Sequence, residues 1–262
     1  VGNNGLITMP NILSKAQTSR FRALKQGKYR KQEGLFLLEG IRLCEEAFRS
    51  DLVIVSVIIL KGFDKLSIPE NLTVYEANQT QLEQITDSRN PQGIICVAKI
   101  PGASLLPEPS ETDLILALDR IADPGNMGTI FRSALWFGIK HILLSPGCVD
   151  PYSPKVVRSS MGALGHLQIH QTSDLNQTCD EWMEKGGQLA ALHMSGTTLH
   201  EVSLRAGGLC LIVGSEAHGV DATLLEKCQT LVIERKGKGE SLNAAMATSI
   251  ALYALQTNRE SK

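Results

Sequence analysis

At 262 residues, 43% of them hydrophobic, the chain is long enough for one large domain or two smaller ones, and its apolar content excludes global disorder. Lysine plus arginine number 26 against 27 for aspartate plus glutamate, so the overall charge argues neither for nor against a nucleic-acid partner. The distribution says more: residues 1–31 carry Lys15, Arg20, Arg22, Lys25, Lys28, Arg30 and Lys31 and no acid, a block that suits phosphate contact or a plain solvated arm.

In chain order, residues 13–50 read as a basic helix, a strand over Gly34–Gly40 and a helix over Ile41–Arg49 with Ile41, Leu43, Cys44 and Phe48 apolar. Strands follow at Val53–Leu60 and Leu72–Tyr75, then a short helix at Thr80–Ile85 and a strand at Gly93–Ala98. Residues 1–100 thus form a small α/β unit, and the Pro- and Gly-bearing stretch 101–112 reads as a linker. A second unit spans 113–262, beginning at Asp113. Its expected strands are Leu114–Leu118, His141–Leu144, Leu167–His170, Leu189–Leu192, Cys210–Val213 and Thr230–Ile233. Its expected helices are Thr129–Phe137, Lys155–Ser160, Asp174–Lys185, Ala222–Lys227 and Leu242–Gln256. Strands spaced by helix-length segments imply a mostly parallel sheet covered on both faces.

Cys44, Cys96, Cys148, Cys179, Cys210 and Cys228 show no CxxC spacing, and Cys96 and Cys210 lie in apolar runs. This reads as a reducing compartment with no structural metal. His193 and His200 have no partner acids or cysteines at ligand spacing. Apolar runs fall short of the roughly 18–20 residues of a membrane span, and no signal peptide is evident. The chain begins at Val1, so a trimmed leader is compatible with it; a cytoplasmic setting is expected, with an organellar one left open.

Three strand-to-helix junctions carry the chemistry. The first is Asp119-Arg120-Ile121-Ala122-Asp123-Pro124-Gly125-Asn126-Met127-Gly128-Thr129-Ile130-Phe131-Arg132, where an apolar strand turns into a helix. Read alone, Asn126 is a helix cap and Arg132 a solvent-facing cation. The second is Val213-Gly214-Ser215-Glu216-Ala217-His218-Gly219, whose glycines permit a sharp turn and whose Glu216 is either a helix-terminus acid or a clamp for Asn126, Arg132 or loop amides. The third is Ser241-Leu242-Asn243-Ala244-Ala245, where Ser241 reads as an N-cap. A further segment, Val157-Arg158-Ser159-Ser160-Met161-Gly162, ends a helix in small residues. No GxGxxG follows the first strand of the second unit and no GxxxxGK[ST] occurs, which removes the Rossmann and P-loop readings.

Together these segments resemble the motifs of the SpoU-type (TrmH-like) RNA 2'-O-ribose methyltransferases of the SPOUT superfamily. Phe36-Leu37-Leu38-Glu39-Gly40 and Asn90-Pro91-Gln92-Gly93 are similar to the small ribosomal-protein-like α/β domain that precedes many ribosomal RNA members. The resemblance implies an α/β SPOUT domain with a deep trefoil knot, S-adenosylmethionine as methyl donor, structured RNA as substrate (ribosomal RNA, with transfer RNA as the alternative), a homodimer, and no metal or membrane partner.

It also implies residue roles. Arg132, Asn126, Glu216, Ser241 and Asn243 are the expected catalytic group. Arg132 suits phosphate or a developing negative charge and is a poor base by its intrinsic pKa. Leu192, His193, Met194, Gly196, Val213, Gly214, Ile233, Arg235, Leu242, Asn243 and Ala244 are the expected donor-binding residues. Glu234 and Arg235 depart from the family's usual Pro and Met, which puts donor affinity in question. Lys25, Lys28, Arg30, Lys31 and Arg158 are the expected RNA ligands. A non-catalytic RNA-binding or ribosome-assembly protein, a base methyltransferase and an unrelated α/β dimer are the rival readings.

Overall fold

The structure, a computed structural model, describes residues 10–111, 114–199, 201–202 and 208–260; Asp113 and His200, named above, lie outside the described residues. The chain divides into two compact units: residues up to Pro101 with Tyr152–Gly165, and Gly102–Pro151 with the chain from His166 onward.

In the first unit the basic segment folds as two helices, α1 (Lys15–Ala23) and α2 (Gly27–Glu33), after a two-residue strand β1 (Asn11–Ile12). The break has a local cause. Ser14 and Gln17 form a capping box that starts α1, and the Arg30 guanidinium donates to Leu24 O and Lys25 O just past its end. The remaining elements are β2 (Leu35–Glu39), α3 (Ile41–Arg49), β3 (Ile54–Leu60), β4 (Val74–Ala77), α4 (Gln79–Ile85) and β5 (Ile94–Lys99). The sheet order is β1-β4-β3-β5-β2, with β5 antiparallel to both neighbours and the other pairs parallel. Phe21, Leu24, Leu37, Ile58, Leu82 and Val97 share one buried cluster. Asn78 and Gln81 cap α4 reciprocally, and Gln81 Nε2 also reaches Leu13 O, which pins the entrance of α1.

The segment Tyr152–Gly165 completes this unit. The Tyr152 ring lies 5.0 Å from that of Phe36, and Val156, Val157 and Leu164 are buried. A Cβ on Gly162 would come within 2.7 Å of Glu46 Cβ, so the segment packs against α3 more closely than any other residue permits.

In the second unit the chain runs β6 (Leu114–Asp119), α5 (Pro124–Trp136), β7 (His141–Leu144), then, after the helix Pro154–Ser160 (α6 in chain order), β8 (Gln168–Gln171), α7 (Leu175–Glu184), β9 (Gln188–Thr198), β10 (Leu209–Gly214), α8 (Ala222–Leu225), β11 (Gln229–Val232) and α9 (Ala244–Glu260). The sheet order is β11-β9-β10-β6-β7-β8, and every pair is parallel. Ile115 and Ala117 face Cys179 and Trp182 of α7, while α5 and α9 pack together and bury Ile130, Phe131, Leu252 and Leu255. At one edge His141 Nδ1 lies 3.1 Å from His170 Nε2, and His170 Nδ1 lies 3.2 Å from Ser104 O.

Three junctions differ from the sequence reading. Helix α5 begins at Pro124 rather than Thr129, because Asp123 is the N-cap and Pro124 the first helical residue. Helix α9 begins at Ala244 rather than Leu242, because the Asn243 side chain, not Ser241, accepts from Ala245 N and Met246 N. The strand expected to end at Leu192 continues to Thr198; its pairing with β11 jumps from Ala191 opposite Thr230 to Thr197 opposite Leu231, so the residues between form an excursion within the strand.

Candidate active site

Because all six strands of the second sheet run in parallel, their carboxyl ends lie at one end of the sheet, where open α/β folds bind ligands. Asp119 closes β6 there. It is 4% exposed, and its carboxylate accepts from Arg120, from Ser145 Oγ at 3.1 Å and from Asp221 N at 3.0 Å. The end of β6 is thereby tied to the end of β7 and to the start of α8. Arg120 adopts a left-handed φ of 56°, which turns the chain sharply toward α5. Sequence reasoning missed Asp119; its one signal was an acid ending an otherwise apolar strand.

Since Asp123 caps α5 by accepting from Asn126 N at 2.8 Å, the Asn126 carboxamide is released for other work. Its Nδ2 donates to Glu216 Oε1 at 3.0 Å, and its Oδ1 accepts from Asn243 Nδ2 at 2.8 Å. Asn243 Nδ2 also donates to Glu216 Oε1 at 2.8 Å, and Ala244 N does so at 3.2 Å. Three segments far apart in sequence thus meet on one carboxylate oxygen. Glu216 is presented by a tight loop: Gly219 N donates to Ser215 O at 2.8 Å, and a Cβ on Gly214 would sit 2.0 Å from the Gly219 carbonyl carbon. Only glycine fits at 214.

The other expected catalytic residues stand apart from this cluster. Arg132 is exposed on α5 and engages no side chain or carbonyl among the described residues. Ser241 is exposed and neither caps α9 nor joins the carboxamides. The same end of the sheet carries the expected donor-binding residues. Leu192, His193, Met194 and Gly196 lie in the β9 excursion, where His193 Nδ1 closes a small turn on Ser195 N at 3.3 Å. Val213 and Gly214 end β10, Ile233 follows β11, and Leu242, Asn243 and Ala244 lead into α9. Arg235 Nη1 donates to Gly239 O at 3.1 Å, and Lys236 pairs with Glu234 at 2.6 Å, so these three charges are used within the loop. Met194 and Leu242 are 63% and 47% exposed and offer apolar surface for an adenine ring, while the Asn126 and Asn243 carboxamides and the loop backbone offer polar partners for ribose and amino-acid groups. That donor set fits S-adenosylmethionine.

The basic residues of the first unit divide. Arg30 is 4% exposed and spent on carbonyls of the unit, so it does not serve as a phosphate ligand. Lys25 Nζ donates to Gln84 O and Thr86 O at 2.9 and 3.0 Å. Lys28 and Lys31 are exposed. Arg158 Nη2 pairs with Asp87 at 2.8 Å, and its Nη1 is buried with no partner among the described residues. Among the described residues no group of His, Cys, Asp and Glu is arranged to hold a metal, and no helix is long and apolar enough to cross a membrane.

The profile of the SpoU rRNA Methylase family matches residues 113–253, and that of the MRM3-like substrate binding domain matches residues 16–96. The chain is 30% identical over 241 residues to the 23S rRNA (guanosine(2553)-2'-O)-methyltransferase RlmP of Bacillus subtilis, covering 90% of this chain and 94% of that one. Among solved structures, a TrmH-family protein from Porphyromonas gingivalis matches with a TM-score of 0.84 and 31% identity, over 94% of this chain and 99% of that one. An AdoMet-bound rRNA methyltransferase from Sinorhizobium meliloti matches with a TM-score of 0.82 and 26% identity, over 95% and 97%.

Proposed function

From the premise that the chain belongs to the SpoU rRNA methylase family, we propose that the cluster of Asn126, Glu216 and Asn243 is the centre at which it methylates a ribose 2'-oxygen of ribosomal RNA. The observation that carries this reading is the convergence of two distant segments, through Asn126 and through Asn243 and Ala244 N, on Glu216 Oε1 of a third at the carboxyl end of a parallel sheet. Mere RNA holding does not require such a set, which sets aside a non-catalytic RNA-binding protein.

S-adenosylmethionine supplies an electrophilic methyl group on a sulfonium. The protein must hold the attacking hydroxyl in line and favour the charge that develops on its oxygen. Asn126 and Asn243 are fixed by Glu216 and by each other, so their carboxamides are preorganised for polar groups of ribose and donor. Arg132, exposed and unengaged, is free for the phosphate beside the target ribose. Met194, Leu242 and the backbone around Ile233 and Arg235 hold the donor, and Lys28 and Lys31 add sequence-independent grip on RNA. A trefoil crossing of the chain through these loops is part of the proposal.

The proposed assembly is a homodimer. Trp136 is 84% exposed, and Met246, Ile250 and Tyr253 leave apolar surface on α9. The Phe137 and Tyr253 rings lie 6.3 Å apart, so the end of α5 and this face of α9 make one patch, of the kind that marks an association surface. The six cysteines are free thiols, which supports a reducing compartment.

The test is to incubate the protein with radiolabelled S-adenosylmethionine and total RNA from a strain lacking the enzyme, then digest to nucleosides. Label in a 2'-O-methylnucleoside from ribosomal RNA is the expected result; label on a base, or in transfer RNA alone, would overturn the assignment.

A further inference from the structure

We infer that the first unit contains a pocket for one unpaired nucleotide of the substrate RNA, at the amino end of α3; the inference rests on the reading of the protein as an RNA enzyme. A cavity of about 200 Å3 lies there, lined by the β2–α3 turn, by the loop between α4 and β5 and by α6. Its chemistry is mixed in a way that suits a nucleotide. Leu43, Leu82 and Met161 give an apolar floor, Asn90 and Gln92 give carboxamides, and Arg42 and Arg158 give positive charge.

The polar groups are held in place before any ligand arrives. Gly40 occupies the N-cap of α3 with a φ of 101°, and a Cβ there would lie 2.9 Å from Gln92 Oε1. The missing side chain lets Gln92 Oε1 accept from Ile41 N at 2.8 Å, which orients the carboxamide and leaves its Nε2 donors unengaged among the described residues. Glu39, the one carboxylate on the wall, is already committed: it accepts from Thr86 Oγ1, Asp87 N and Ser88 N. Its charge is therefore largely answered by the loop it fixes. Arg158 is clamped through Nη2 to Asp87, while its buried Nη1 lacks a partner among the described residues, a donor that a ligand acceptor or an intervening water would satisfy. The first turn of α3, whose N-cap Gly40 has no side chain to cap it, and the exposed Arg42 favour a phosphate at the mouth.

A base edge on carboxamides, a base face on aliphatic and guanidinium surface, and a phosphate on arginine are the means by which proteins read unstacked RNA nucleotides; a duplex cannot enter such a cavity. The pocket would therefore select RNA with a bulged or looped-out nucleotide, independently of the ribose to be methylated.

The test uses the full-length protein and ribosomal RNA from a strain lacking the enzyme, substituted with 4-thiouridine. After irradiation, crosslinked peptides are mapped by mass spectrometry. Affinity for the same RNA is compared between the wild type and the Arg42→Ala/Asn90→Ala variant; both residues are exposed, so the fold is expected to survive, and circular dichroism checks this. The expected result is crosslinking to peptides containing residues 40–43 or 86–93, and RNA binding weakened about tenfold with donor affinity unchanged by calorimetry. Crosslinks confined to other peptides together with undiminished binding by the variant would overturn the pocket, even if methyl transfer proceeds. Crosslinks at the pocket without methyl transfer would support it while removing the enzymatic reading.

Discussion

Asn243 Nδ2 donates to Glu216 Oε1 at 2.8 Å, and the Oδ1 of the same Asn243 caps α9 through Ala245 N and Met246 N. One carboxamide thus starts the last helix with its oxygen and joins it to the loop after β10 with its nitrogen. The geometry of the site and the stability of the helix terminus are coupled through a single side chain.

Asn243→Ala is therefore expected to act twice. Loss of the cap costs about 1 kcal/mol, and loss of the Glu216 link disorders the centre, so methyl transfer falls more than stability does. Asn243→Asp keeps the cap but sets a carboxylate against Glu216. It should recover the share of stability that the cap supplies, less the repulsion from Glu216, and none of the activity. Equal recovery of both, measured by melting and by transfer of labelled methyl, would contradict the coupling.

Arg132→Ala should abolish methyl transfer with donor binding intact and stability changed by less than about 0.5 kcal/mol, since the residue is exposed and unengaged. Calorimetry with S-adenosylmethionine and a turnover assay separate the two effects. Normal turnover would remove Arg132 from the mechanism.

The basic segment should give two distinct phenotypes. Arg30→Ala strips two carbonyls of a buried charged donor and is expected to cost about 2–3 kcal/mol of stability. Lys28→Ala/Lys31→Ala should leave stability unchanged and flatten the salt dependence of RNA binding by up to about two units of slope. Denaturant melts and binding titrations across a salt series distinguish them; an unchanged slope would make these lysines plain solvated surface.

Acid should weaken the second unit at the His141–His170 contact. Burial holds both imidazoles below the ordinary 6.5, and for His141 the neighbouring His170 and Lys140 act in the same direction. The folded form therefore binds protons less readily than the unfolded chain. The stability this contact permits is fully present above 6.5 and is lost as pH falls below that value toward the depressed folded values. His170→Gln is expected to reduce the fall in melting temperature between pH 7.5 and 5.5. An identical slope would place the acid sensitivity elsewhere.

The second sheet was legible from sequence because its central strands are continuous apolar runs, such as Leu114–Leu118, separated by helix-length stretches. The junctions were harder. Asn126 and Asp123 are both good cap residues, and only the structure assigns the cap to Asp123 and frees Asn126. Ser241 and Asn243 present the same ambiguity, resolved in favour of Asn243. Arg30 was indistinguishable from Lys28 and Lys31 as a charge in a basic run, because its burial depends on the turn between two helices that read as one. The excursion at Leu192–Gly196 leaves no periodic trace, since its residues are held by pairing on either side of it.

The segment Tyr152–Gly165 sets an order of events during synthesis. The first unit lacks Tyr152, Val156, Val157 and Leu164 from its interior until the chain has been made through Gly165, although its own sheet is finished at Lys99. While the intervening β6, α5 and β7 emerge, part of the first unit's apolar surface stays uncovered. The first unit can then mature only after β6, α5 and β7 of the second have emerged, and a fragment ending in the stretch 101–112 would carry that bare surface permanently, prone to aggregate or to capture by chaperones.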